Sequence, residues 1–108
     1  MADMETAENH GEIFRAKVNL ETALIAWKEL QRYFASGVAL AVAADLDLVD
    51  VACQMSRDNA AQIRQWMASG KLGKVTDGQA AAWIESDTLV WAVVVSPWVL
   101  VQPVRQFQ

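Results

Sequence analysis

Seventeen consecutive residues, Thr88 to Val104, carry no charge, and this run constrains the fold more than any other feature of the chain. Valine dominates it, and Ser96-Pro97 divides it into Thr88–Val95 and Trp98–Gln102. Proline cannot donate to a ladder, so Pro97 marks a turn, bulge or edge between two strands. A membrane helix is the competing reading. A bilayer core of about 30 Å needs about 20 helical residues, and the apolar piece Leu89–Val101 would reach only about 20 Å as a helix. The run is expected to form the most buried strands of a sheet with both faces covered. On that reading Val94→Asp strands a carboxylate in the core and costs several kcal/mol.

Helical periodicity supplies the covering layers. Leu20, Leu24, Trp27, Leu30 and Phe34 recur at three- and four-residue steps, with Glu21, Lys28, Glu29 and Arg32 elsewhere on the wheel. That spacing predicts an amphipathic helix, with Asn19 as its cap and Gly37 as its stop. The pattern leaves open whether residues 12–35 form one helix or two. Gly37–Ala44 reads as a buried strand, and a helix opens at Asp45–Asp50 with Leu48, Val51, Ala52 and Met55 inward. Ser56 or Asp58 is expected to cap the next helix, whose apolar face holds Ile63, Trp66 and Met67 and which stops at Gly70. Lys71–Val75 reads as a short strand. Thr76-Asp-Gly-Gln79 has the pattern of a capping box, ahead of a helix with Ala80, Trp83 and Ile84 on one side. The expected architecture is α+β, four to five short helices packed on a small, mainly antiparallel sheet. Residues 12–108 would make one domain behind an acidic arm at 1–11.

Composition narrows the function. With 108 residues, 54% of them hydrophobic, the chain has enough apolar surface for one cored domain and is not disordered. Nine basic residues against thirteen acidic ones, with no basic run, argue against nucleic acid, which is held by clustered Lys and Arg. A single cysteine, Cys53, and a single histidine, His10, exclude an internal disulfide and a soft-ligand metal centre within one chain. No cofactor motif is present. The first twelve residues carry four acids and no base, the reverse of an export signal, so a cytoplasmic location is expected, without membrane association.

Few residues suggest chemistry. Asp45, Asp47 and Asp50 hold three carboxylates within six positions, but acids at a helix N-terminus are explained by capping and by the helix dipole. Cys53 follows Val51 and Ala52 on an apolar helix, which suits an inert buried thiol, and His10 reads as a solvated side chain. Lys71, Lys74 and Thr76 precede a helix N-terminus and form a weak anion-site candidate. Five tryptophans are many for this length. Trp27, Trp91 and Trp98 are the ligand or interface candidates, since exposed tryptophan commonly marks a contact surface. Trp91 and Trp98 are seven residues apart and fall on opposite faces of a regular strand, unless the Pro97 break resets the parity.

Asn19-Leu-Glu-Thr-Ala23, Trp27-Lys-Glu-Leu-Gln-Arg32, Leu46-Asp-Leu-Val49 and the ending Trp91-Ala-Val-Val-Val-Ser-Pro-Trp-Val-Leu-Val-Gln102 resemble a family of short bacterial proteins known only as a domain of unknown function. The resemblance spans about residues 12 to 102 and implies a small stand-alone protein, with no activity attached. The residues themselves favour a protein-interaction or self-assembly module. A homodimer is expected, joined through one face or edge of the uncharged C-terminal strands, and an unidentified protein partner is the other possibility. Two alternatives stand beside it. One is a small-molecule binding or sensing domain with a tryptophan-lined pocket. The other is an enzyme running acid–base chemistry on carboxylates such as Glu21, Glu85 or Asp87, although nothing in the sequence pairs them and no catalytic residue is assigned.

Overall fold

The computed structural model describes residues 15–18 and 20–104. In chain order the elements are α1 (helical residues 15–18 and 20–21), β1 (Ala23–Ala26), a 3-10 turn (Trp27–Leu30), α2 (Gln31–Ala35) and β2 (Ala39–Val42). There follow α3 (Leu48–Ser56), α4 (Ala60–Ala68), β3 (Leu72–Lys74), α5 (Asp77–Glu85), β4 (Leu89–Val95) and β5 (Trp98–Pro103). The five strands form one sheet in the order β1-β4-β5-β2-β3. Only the β2–β5 pairing is parallel; the other three are antiparallel. The fold is α+β, as the sequence predicts.

The uncharged run becomes the β4–β5 hairpin, turned at a cis Ser96-Pro97 bond and registered from Val95↔Trp98 to Val90↔Pro103. β5 is the central strand, and its Val99, Leu100 and Val101 are all buried. Helices cover the sheet on both sides. On the first face, Leu40, Val42, Leu72, Val93 and Leu100 pack with Val18 of α1 and with Leu48, Val51 and Ala52 of α3; Ile63 and Trp66 of α4 close over them. On the second face, Val90, Ala92, Val99 and Val101 pack with Trp27 and Leu30 of the 3-10 turn and Ala80 of α5. A central strand wetted on neither face can consist of consecutive apolar residues, which explains its composition.

Local signals fix the helix ends. The Asp47 carboxylate accepts the Val49 N–H at 2.9 Å and caps α3. The Thr76 hydroxyl accepts the Gln79 N–H at 3.1 Å, while the Gln79 side chain accepts the Thr76 N–H at 3.0 Å, completing the capping box of α5. Gly70 ends α4 at φ +77°, a left-handed conformation that costs glycine nothing.

Several expectations are corrected. The segment from Leu20 to Phe34 is not one helix. The Thr22 N–H and hydroxyl both donate to the Val18 carbonyl, at 3.0 and 2.7 Å, and close α1; the next four residues then pair with β4 as a strand. Asn19 and the arm at 1–11, His10 included, lie outside the described residues. Asn59, not Ser56 or Asp58, caps α4 by accepting the Gln62 N–H at 3.4 Å. Met67 and Ile84 point outward at 47% and 45% exposure. Val94 is 60% exposed, because β1 reaches only as far as Ala92 and leaves the hairpin end of β4 open on that side.

Candidate functional site

Large apolar side chains left in water concentrate at one end of the first face. Leu24 of β1 lies opposite Trp91 of β4, and Ala26 lies opposite Leu89. Directly opposed residues share a face, and Trp91 and Leu89 alternate with Val93 of the first-face core. Leu24 is 49%, Leu89 46% and Trp91 41% exposed, and Leu20 just ahead of β1 is 85% exposed. α3 and α4 cover this face farther along the sheet. A shallow groove of about 290 Å³ marks where the cover ends, bordered by Trp91, Gln102 and the Asp47–Val49 start of α3.

Gln102 holds that margin in place. Its Nε2 donates to the Ala43 carbonyl at 2.7 Å and the Leu46 carbonyl at 2.8 Å, tying the loop before α3 to the end of β5. The indole of Trp91 thus rests beside a fixed wall, with its apolar body half in water.

The sheet's two edges differ in kind. β3 has three residues, includes Lys74 and directly follows Lys71. Charge and shortness are the usual defences of an edge against pairing with another chain. β1, Ala23-Leu-Ile-Ala26, has neither charge nor proline. Its outward groups can be assigned from the ladder. The Trp27 N–H donates to the Thr88 carbonyl at 2.9 Å, which makes Ile25↔Val90 and Ala23↔Ala92 the hydrogen-bonded pairs of the β1–β4 ladder. Leu24 and Ala26 therefore turn their N–H and C=O groups away from β4, and no described strand meets them.

The candidates separate on inspection. Trp91 lies on the exposed patch. Trp98 shares its face, because hairpin register pairs odd-numbered residues of β4 with even-numbered residues of β5, so the turn resets the parity. Trp98 is half-buried against α3 and α4 and borders a different groove, seven residues along the hairpin, so the two indoles line no common pocket. Trp27 is 0% exposed; its Nε1–H donates to the Ala80 carbonyl at 3.2 Å, and it has no surface to offer a ligand or partner. The C-terminal strands provide a face but no edge, since β4 and β5 lie inside the sheet.

The polar candidates are drawn into structural roles. Lys71 pairs with Asp45, and the Thr76 hydroxyl is engaged in its capping box, so only Lys74 of that trio has no described partner. Asp77 in the first turn of α5 adds negative charge where an anion would sit. Asp47 and Asp50 meet Arg15 of α1 at 3.5 and 3.6 Å, and with Asp45 turned to Lys71 the three carboxylates do not converge. Among the described residues no group of three His, Cys, Asp or Glu could hold a metal ion. Cys53 is buried, and no helix of the described residues is long and apolar enough to cross a membrane. A larger groove, about 520 Å³, runs between α1 and the open end of β4, floored by Val18, Met55 and Val93 and rimmed by Lys17, Glu21 and Asp58. Sequence reasoning missed Leu24 and Leu89 because it assigned Leu24 to a helix face and Leu89 to a fully covered strand.

Comparison with known proteins places the chain. A family model described as protein of unknown function (DUF2288) matches residues 13–103. The chain belongs to this family. Among solved structures it is similar to PA1075 from Pseudomonas aeruginosa, determined in solution by NMR. The two are 42% identical, with a TM-score of 0.77, over 87% of each chain. A comparison with curated proteins finds no match. The fold and the family are thereby established, and the DUF2288 description brings no activity with it.

Proposed function

We propose that this DUF2288 protein is a self-associating interaction module that docks through the apolar end of its first sheet face. The observation that carries the reading is the joint exposure of Leu24, Leu89 and Trp91 on one face beside an uncharged edge strand. Single exposed apolar residues are ordinary, but contiguous ones next to a half-buried tryptophan are characteristic of contact surfaces. Closed two-fold pairing is the commonest way a small domain buries such a patch. Light scattering at micromolar concentration should give a mass near twice 11.9 kDa, and Trp91→Ala should return it to the monomer value. A wild-type mass of one chain, unchanged on concentration, overturns the reading. A second reading, small-molecule binding, is favoured by the groove of about 520 Å³ beside α1; a metabolite that raises the melting temperature, with the gain lost on changing the exposed rim residues in Lys17→Ala or Glu21→Ala, would support it.

A further inference from the structure

Resting on the docking reading above, we infer that the partner is a second copy of this chain, joined β1 to β1 as antiparallel neighbours about a two-fold axis at Ile25, so that two sheets become one of ten strands. The hydrogen-bonding groups select this register. Leu24 and Ala26 are the β1 residues whose N–H and C=O face outward. In an antiparallel ladder a hydrogen-bonded pair exchanges both of its bonds. Setting Leu24 opposite Ala26 of the partner subunit, and Ala26 opposite Leu24 of the partner subunit, uses all four donors and all four acceptors. A register centred on Leu24 would need the Thr22 N–H, which already donates to the Val18 carbonyl at 3.0 Å. One centred on Ala26 would need Lys28, which lies in the 3-10 turn.

Side-chain size agrees with this choice. Across the joined sheet, Leu89 and Ala26 of one chain continue into Leu24 and Trp91 of the partner subunit. The small Ala26 lets the partner's Leu24 lean toward Leu89, and the two-fold axis repeats the row. All these exposed groups then lie on one side of the joined sheet. No charge of β1 opposes the contact, whereas a β3-to-β3 pairing would bring Lys74 close to its own copy. A four-residue edge with Leu24, Leu89 and Trp91 beside it is small for a permanent interface, so the dimer should come apart on dilution below micromolar concentration.

The test is a cross-link. In this register Ile25 faces Ile25 of the partner subunit as a non-hydrogen-bonded pair, about 4.5 Å between Cα atoms, within disulfide reach. Ala23 and its copy would be more than about 10 Å apart at strand rise. In a Cys53→Ser background under oxidised glutathione, Ile25→Cys should form a covalent dimer at least about ten times faster than Ala23→Cys. Wild-type protein gives a second readout that needs no substitution: the Leu24 and Ala26 amides should exchange with solvent at least about tenfold more slowly in the dimer than at dilution. A dimer that Trp91→Ala dissociates, but with no Ile25 cross-link and no protection of those amides, overturns the register and leaves the docking face standing. A monomer at every concentration removes both.

Discussion

Replacing Trp27 with alanine should remove a large share of the protein's stability. The side chain is 0% exposed and lies at the middle of the second-face core. Its ring meets Trp83 edge-on at 5.1 Å between centroids and Phe34 at 6.0 Å, and its N–H satisfies the Ala80 carbonyl of α5 at 3.2 Å. Removing a buried tryptophan costs about 3–5 kcal/mol, and the lost hydrogen bond adds roughly 1 kcal/mol. Domains of this size are stable by only about 5–15 kcal/mol in total. Trp27→Phe separates the two contributions, since it keeps an aromatic ring and loses the donor; about 2 kcal/mol is expected. Urea unfolding followed by far-ultraviolet circular dichroism is the suitable assay, because four other tryptophans mix their fluorescence with that of Trp27. With a slope of roughly 1.5 kcal/mol per molar urea, Trp27→Phe should lower the midpoint by about 1–1.5 M. Trp27→Ala, at about 4–6 kcal/mol, should lower it by about 3–4 M. A Trp27→Ala midpoint within about 0.5 M of wild type, at unchanged slope, would refute the assignment of Trp27 as the pin between the 3-10 turn and α5.

Val93 and Val94 are neighbours with opposite expectations. Val93 is 2% and Val94 60% exposed, so Val93→Asp should cost several kcal/mol while Val94→Asp stays within about 1 kcal/mol of wild type in a thermal melt. Equal effects would mean that the strand faces are misassigned. Gln102→Leu withdraws the donor shared by the Ala43 and Leu46 carbonyls and should cost about 2 kcal/mol. Amide exchange should also quicken in the loop before α3, and an unchanged loop would show that something else holds it.

Signals confined to a few neighbouring positions are legible in the sequence: the Gly70 stop, the Thr76–Gln79 capping box, the Pro97 turn. Each acts within a few residues, so no distant information is needed to read it. The stretch from Leu20 to Phe34 shows the limit. Its three- and four-residue spacing is real, and Trp27 and Leu30 are buried as a helical face would demand. What makes Ala23–Ala26 a strand is β4, more than sixty residues downstream, and periodicity within the segment cannot report a partner outside it. The same non-locality hid the candidate surface. Leu24 and Leu89 become one patch only through the β1–β4 register. The shared face of Trp91 and Trp98 likewise follows from hairpin pairing, not from their spacing along a single strand.

The position of the exposed patch follows from where the helices among the described residues lie on the five-stranded sheet. α1 places Val18 over the hairpin end of the first face, and α3 and α4 take its middle and its β3 side. The second face gets α5 and the 3-10 turn, with Ile25 of β1 packed against that core. Among the described residues β1 is therefore covered on one face and open on the other, although its sequence is apolar on both. A monomer gains little from leucine at 24 and 89: at 49% and 46% exposure they contribute only part of the roughly 2 kcal/mol that full burial would give. The interior shows the complementary pattern. None of the buried residues among those described is polar or charged, Cys53 being counted with the apolar core. Half-buried leucines beside an uncharged edge strand are the features on which the proposed contact with a second copy rests.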